Sequence, residues 1–323
     1  MVMLQQMIVM FLMMAVGYLC YRKQILTEEV SRKVSAIVVN VANPCMILSS
    51  ALTDQQMQGK ELVQTLAIVV MMYAFLLAMA QLFPRILCIQ KESRGAYAAM
   101  TVFANIGFMG FPVLAAMYGN GALLYGAVFQ IPFNILIYTY GVAVLTRKPG
   151  ACAKAEPDAK ESNNKQQGKL QETLEIVKKI FNIGVIACIA AMLLYFLQAP
   201  VPSFLQAFIT NLGNLTAPLS MMIIGASLAQ MPLKELFLDK KLLLFSLVKL
   251  LLLPAVWMIA VNRVAEQEIL RSVCLVMMAT PAGSMTAMLA QQYGGDYETA
   301  SRGVALTTVL SVITMPLLAA IFL

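Results

Sequence analysis

Asn105-Ile-Gly-Phe-Met-Gly-Phe-Pro112 and Thr280-Pro-Ala-Gly-Ser-Met-Thr286 are the two stretches whose reading decides the fold. Each lies within an apolar run of helical length, and each places glycine and proline near its middle. Glycine weakens a helix interior, and proline removes an N–H and crowds the carbonyl four residues back. A helix opened there leaves backbone N–H and C=O groups without partners. Lipid cannot satisfy such groups, so these breaks belong in a protein interior or against a cavity. Breaks at matching positions of two helices point to a binding site between them. Half-helix N-termini meeting at one place carry partial positive charge, which suits an anion.

The surroundings of both stretches call for lipid as the solvent. Of the 323 residues, 60% are hydrophobic and only 12% are charged, and the mean hydropathy is +0.77. Soluble domains carry about 25% charged residues. A spanning helix needs roughly 20 apolar residues, and ten such runs occur, near 2–22, 32–52, 62–84, 94–117, 122–146, 174–197, 204–230, 241–261, 269–292 and 299–322. Met1–Tyr21 has no basic residue ahead of its apolar run, and Arg22 and Lys23 follow it. That pattern reads as a first spanning helix with its N-terminus outside rather than a cleaved signal. The longest polar stretch, 147–172, contains Pro149, Gly150, Pro157, Ser162, Asn163 and Asn164, which is the composition of a flexible linker. It divides the chain into 1–146 and 173–323.

Basic residues set the orientation. With the N-terminus outside, the cytoplasmic loops hold Arg22, Lys23, Arg32, Lys33, Arg85, Lys91, Arg94, the many lysines of the central linker, Lys234, Lys240, Lys241 and Arg302. The outer loops hold only Lys60, Arg263 and Arg271. This positive-inside bias predicts a multi-pass protein of the plasma membrane with both termini outside and the linker cytoplasmic. It also accounts for the net charge of +7 without nucleic acid as a partner.

The halves repeat. Val113-Leu-Ala-Ala-Met-Tyr-Gly119 matches Met288-Leu-Ala-Gln-Gln-Tyr-Gly294 at an offset of 175 residues. Asn43-Pro44 matches Ala217-Pro218, and Gly126-Ala-Val matches Gly303-Val-Ala, at nearly the same offset. Five spans per copy is an odd number, so the second copy is inverted in the membrane. The expected fold is therefore an all-α polytopic membrane protein: ten transmembrane helices in two inverted five-helix repeats, with helices four and nine as broken crossover helices. That architecture is a signature of alternating-access carriers.

These motifs resemble the auxin efflux carrier family. Asn105-x-x-x-Met-Gly-x-Pro112 is similar to the family's fourth helix. Thr280-Pro-x-Gly-Ser284 followed by Gln-Gln-Tyr-Gly-Gly-Asp296 is similar to the ninth helix of its bacterial branch, and Asn43-Pro44 is also similar. The resemblance spans essentially the whole chain and implies paired scaffold and transport domains, an elevator-type motion and a homodimer. It also implies a substrate carboxylate held near the crossover, where Asn105 and Pro112 match the family motif. The long hydrophilic loop of the large plant members is missing here.

The candidate substrate-binding residues are Asn43, Pro44, Asn105, Gly107, Gly110, Pro112, Gln130, Asn134, Ser220, Lys249, Pro281, Gly283, Ser284 and Thr286. Gln130 and Asn134 lie one turn apart and share a helix face. Ser220 is a small polar residue that more often serves packing. Lys249 is the one ionisable residue deep in a span. Its ammonium either reaches about 12 Å back toward the cytoplasmic end or faces a cavity and attracts anions.

Composition excludes other chemistry. No histidine is present, which removes Ser-His and Cys-His catalysis and His-based metal sites. Cys20, Cys45, Cys88, Cys152, Cys188 and Cys274 show no metal spacing. All Asp and Glu lie in loops or at span ends, so a carboxylate proton relay is not expected, whereas sodium bound by helix-break carbonyls stays open. No cofactor, metal or enzymatic activity is expected. The leading function is a secondary transporter of small organic anions, such as carboxylates or auxin-like acids, working by efflux. The alternatives are an anion channel or facilitator and a non-transporting sensor on the same fold.

Overall fold

The computed structural model describes residues 2–52, 59–146, 183–197, 201–230, 237–265 and 267–322. The linker 147–172 predicted from composition, and the first residues of the span predicted at 174–197, lie outside these. Every regular element among the described residues is helical. In chain order they are α1 (Val2–Arg22), α2 (Glu28–Ser50), α3 (Gly59–Ile86), α4 (Arg94–Val102), α5 (Ile106–Tyr118), α6 (Gly121–Leu145), α7 (Ile183–Leu197), α8 (Ser203–Ala229), α9 (Lys240–Val264), α10 (Glu268–Ala279), α11 (Ser284–Tyr293) and α12 (Tyr297–Phe322). Among them 6 helices are long and apolar enough to cross a membrane, namely α2, α3, α6, α8, α9 and α12. The stretches expected as broken helices at 94–117 and 269–292 are each two helices, α4–α5 and α10–α11.

Local sequence explains the starts. Thr27 accepts a hydrogen bond from the Val30 N–H, with Glu28 and Glu29 in the first turn of α2. Asp239 accepts from the Lys241 and Leu242 N–H groups at the start of α9. Both satisfy donors that a helix leaves unpaired, and they place negative charge at its positive end. The outward faces are apolar: Val63 is 68% exposed, Phe204 74% and Ile313 71%. Water would reject these faces and lipid does not.

Three of the prolines within helices follow a widened turn, whereas Pro84, Pro132 and Pro316 sit in ordinary α-helix. π-turns cover Val38–Ala42, Ile106–Gly110 and Val248–Leu252. Each ends two residues before a proline, at Pro44, Pro112 and Pro254. A proline cannot donate to the carbonyl four residues back, and a wider turn re-spaces the carbonyls beneath its ring.

Packing divides the helices into two groups. In the first, α1 lies along α8 while α7 and the first half of α8 pack on α2. A Cβ added at Gly17 would overlap the Met222 carbonyl, and one added at Gly225 would overlap the Met14 carbonyl. Only glycine permits this backbone approach of α1 and α8. In the second group α3 packs on α4 and α6, α9 on α10 and α12, and α11 on α12. The groups meet where α6 packs on α7 and α2, and where α8 packs on α5.

Candidate functional site

The backbone opens at two places that lie against each other. After α4, Phe103 is extended (φ −99°, ψ 98°) and Asn105 takes φ −81°, ψ 59°. After α10, Thr280 and Gly283 are extended. The two open segments run antiparallel and pair as a single β-bridge between Ala104 and Ala282. The Asn105 N–H donates to the Pro281 carbonyl at 2.7 Å, and the Gly283 N–H donates to the Phe103 carbonyl at 2.8 Å. The Ala282 N–H donates to Thr307 Oγ1 of α12 at 3.1 Å. Groups that lipid would leave unsatisfied are thus bonded within the protein.

Two helix N-termini leave this junction. Asn105 caps α5, its Oδ1 accepting from the Phe108 N–H at 3.3 Å. Gly283 precedes α11, and its carbonyl accepts from both the N–H and the hydroxyl of Thr286. The first amides of each helix, Gly107 and Ser284 among them, have no intrahelical carbonyl to bond. Both half-helices close with a glycine in the left-handed region, Gly119 at φ 73° and Gly294 at φ 71°.

The predicted residues fall into a cluster and a periphery. Pro281, Gly283, Ser284 and Thr286 belong to the α10–α11 opening, Asn105 and Gly107 to the α4–α5 opening. Asn43 joins them: its Nδ2 lies 3.5 Å from where a Cβ on Gly107 would sit. Its Oδ1 is buried with no hydrogen-bond partner among the described residues. Pro44 is buried in the turn beside it. Gly110 faces Met277 and Thr280 of the other interrupted helix. Pro112, expected to open the backbone itself, lies instead in the second turn of α5 and is absorbed by the preceding π-turn. The opening is at Phe103–Asn105, where α4 ends. In α6, Gln130 is buried with an Oε1 that has no partner among the described residues, and the Asn134 amide donates to the Gln130 carbonyl at 2.9 Å. The buried Ser220 hydroxyl of α8 has no partner among the described residues.

Lys249 comes to the junction from α9. It is 2% exposed, and its Nζ donates to the Thr101 carbonyl, in the last turn of α4, at 3.3 Å. The ammonium therefore does not reach back to the helix end. The described ion pairs, Lys33–Glu29 and Arg302–Glu298, give Lys249 no carboxylate.

Thr101 and Thr307 were not singled out in the sequence. The signal available for both is a hydroxyl at the middle of an apolar span. At the helix ends away from the junction, Ser93 Oγ donates to Asp296 Oδ2 at 2.6 Å before α4 and α12, and Tyr125 donates to Glu61 at 2.9 Å where α6 meets α3. Burial alone would raise the Asp296 carboxyl. The Ser93 hydroxyl, the Thr299 backbone and side chain, and Arg302 together hold it below its ordinary range.

A family profile described as "Membrane transport protein" matches residues 2–319. The chain belongs to the auxin efflux carrier family of membrane transport proteins. It is a multi-pass membrane transporter by this membership and by its apolar helices. Among relatives, a protein of Methanocaldococcus jannaschii described as an "uncharacterized transporter" is 24% identical over 321 residues, covering 96% of each chain. A protein of Rhizobium meliloti described as a "Putative malonate transporter" is 28% identical over 234 residues, covering 70% of this chain and 67% of that one.

Proposed function

We propose that this transporter is a secondary carrier of small carboxylates that binds the substrate carboxylate at the paired helix openings. One observation carries the reading: the openings after α4 and α10 pair antiparallel, so the N-termini of α5 and α11 leave one junction. Converging helix N-termini favour anions. The amides of Asn43 and Asn105 stand beside them as neutral donors, and Gln130, Asn134 and Ser220 are further polar groups toward the α6 and α8 side. The Rhizobium meliloti relative's description makes malonate the first substrate to test.

The rest of the architecture follows as part of the same proposal. The match of Tyr118-Gly119 with Tyr293-Gly294, both closing a half-helix at positive φ, supports ten spans in two inverted repeats. The two packing groups support a scaffold of α1, α2, α7 and α8 and a moving body of the remaining helices. Elevator motion would carry the junction past that scaffold. The homodimer, the plasma membrane, outside termini, a cytoplasmic linker and the efflux direction complete the proposal.

The test is flux. Purified protein in liposomes should take up labelled malonate saturably and faster when the lumen holds unlabelled malonate. Linear, unsaturable flux would point to a channel, and specific binding with no flux would point to a sensor.

A further inference from the structure

A buried ammonium with no carboxylate partner among the described residues needs an explanation. Transfer of a charge from water into a protein interior is costly unless polar partners replace hydration. Lys249 finds its partner where backbone acceptors are in surplus. A helix leaves its last four carbonyls without intrahelical donors, and its C-terminus carries partial negative charge. At the end of α4, the Ala99 carbonyl is taken by the Phe103 N–H, the Thr101 carbonyl by Lys249, and the Phe103 carbonyl by the Gly283 N–H. Thr101's own hydroxyl turns back to the Tyr97 carbonyl at 2.8 Å. The cation therefore takes one of the terminal acceptors of α4 that lead into the proposed substrate junction.

Unwound carbonyls and half-helix C-termini are the groups with which broken transporter helices bind a free metal cation. We propose that Lys249 is a tethered cation in such a position: its ammonium stands where a bound monovalent metal ion would otherwise neutralise the end of α4. Lys249 is then a positioning residue. It holds the α4 terminus, and through it the Phe103–Asn105 opening, without touching the substrate. The consequence is a carrier whose folded junction needs no sodium. The π-turn Val248–Leu252 around Lys249 fits this role, because it changes the rotational register of α9 just where the side chain must face α4. This inference rests on the junction being the transport site.

The experiment uses purified full-length protein. Thermal stability and malonate exchange are measured in sodium, potassium and choline chloride at equal ionic strength. The wild type should melt and transport alike in all three. Lys249→Ala should melt lower in choline. Sodium, or methylammonium and propylammonium, should raise its melting temperature by several degrees once present at about 100 times Kd. Lys249→Met fills the space without charge and should stay low in every salt. Lys249→Arg should retain most of the wild-type stability. Selective stabilisation of the wild type by sodium would overturn the proposal, as would a Lys249→Ala protein unmoved by every cation and amine. Where Lys249→Ala does not assemble, Lys249→Gln decides: full wild-type stability with a neutral donor would show that charge is not what the site requires. These melting measurements stand without flux, so a protein that fails to move malonate would sink the carrier reading and leave the cation site still tested.

Discussion

Replacing Thr307 by Val isolates the bond that ties α12 to the helix junction. The side chain is fully buried, and valine preserves its shape. Its hydroxyl accepts from the Ala282 N–H and donates to the Gly303 carbonyl at 2.7 Å. The Gly303 carbonyl lies within α12 and keeps its helical partner. The Ala282 N–H lies in the open segment and has no other acceptor among the described residues, so valine leaves it buried and unpaired. An orphaned buried donor costs about 1–3 kcal/mol. Bonds between membrane helices average nearer ~0.6 kcal/mol, because the unfolded state in lipid also finds partners. Together these set an expected loss of roughly 1–2 kcal/mol. The assay is thermal melting in detergent beside malonate exchange in liposomes, with Thr307→Ser as the control that keeps the hydroxyl. Val should melt several degrees lower and exchange more slowly per inserted molecule, and Ser should stay close to wild type. If Val matches wild type in both, the bond to Ala282 does not organise the junction.

Three further perturbations address separate parts of the structure. Asn105→Ala removes both the cap on Phe108 and a donor beside the proposed carboxylate, and should weaken malonate binding by at least about 1 kcal/mol; Asn105→Asp should keep the cap and the melting temperature yet lose binding, as a calorimetric titration of both would reveal. Gly225→Ala drives a methyl into the Met14 carbonyl and should cost about 1–3 kcal/mol as an overpacked helix pair, seen as lower yield of folded protein on size-exclusion chromatography. Asp296 has a depressed folded pKa, so its bond to Ser93 contributes stability that is present at neutral pH and disappears as pH falls through that lowered value; melting against pH should show an acid loss that is absent in Asp296→Asn.

The class of fold was legible because its cause is compositional. Apolar runs of spanning length and loops rich in Lys and Arg follow from the solvent alone, and Glu28–Ser50, Lys240–Val264 and Tyr297–Phe322 appear as helices with edges shifted by a few residues. The second opening lies where Pro281 and Gly283 predict it, but the location of the first was less legible. Proline at 112 draws attention because it is a strong local signal, yet a π-turn absorbs it seven residues beyond the actual opening at Asn105. The opening is set by what a single sequence does not display, the pairing of Ala104 with Ala282 across the fold. Lys249 posed a choice between two directions for one flexible side chain, and only the position of the Thr101 carbonyl distinguishes them. Thr307 carries one hydroxyl among many in apolar helices, and its importance comes from the backbone opposite it. Asn43 was read from its neighbour Pro44, while its proximity to Gly107 is a tertiary fact.

The glycine-mediated embrace of α1 and α8 sets a timetable for biogenesis. In the proposed ten-span arrangement the first helix enters the bilayer early in synthesis, and the surface around Met14 and Gly17 has no permanent occupant until Gly225 follows. At about 5–20 residues per second, that interval is roughly 10–40 s. Throughout it, a narrow groove of exposed backbone must be shielded by lipid, by transient neighbours or by the insertion machinery. Ribosome-stalled chains ending before α8 should therefore crosslink from position 17 to such attendants, and chains released after α8 should lose those crosslinks as the helix pair closes.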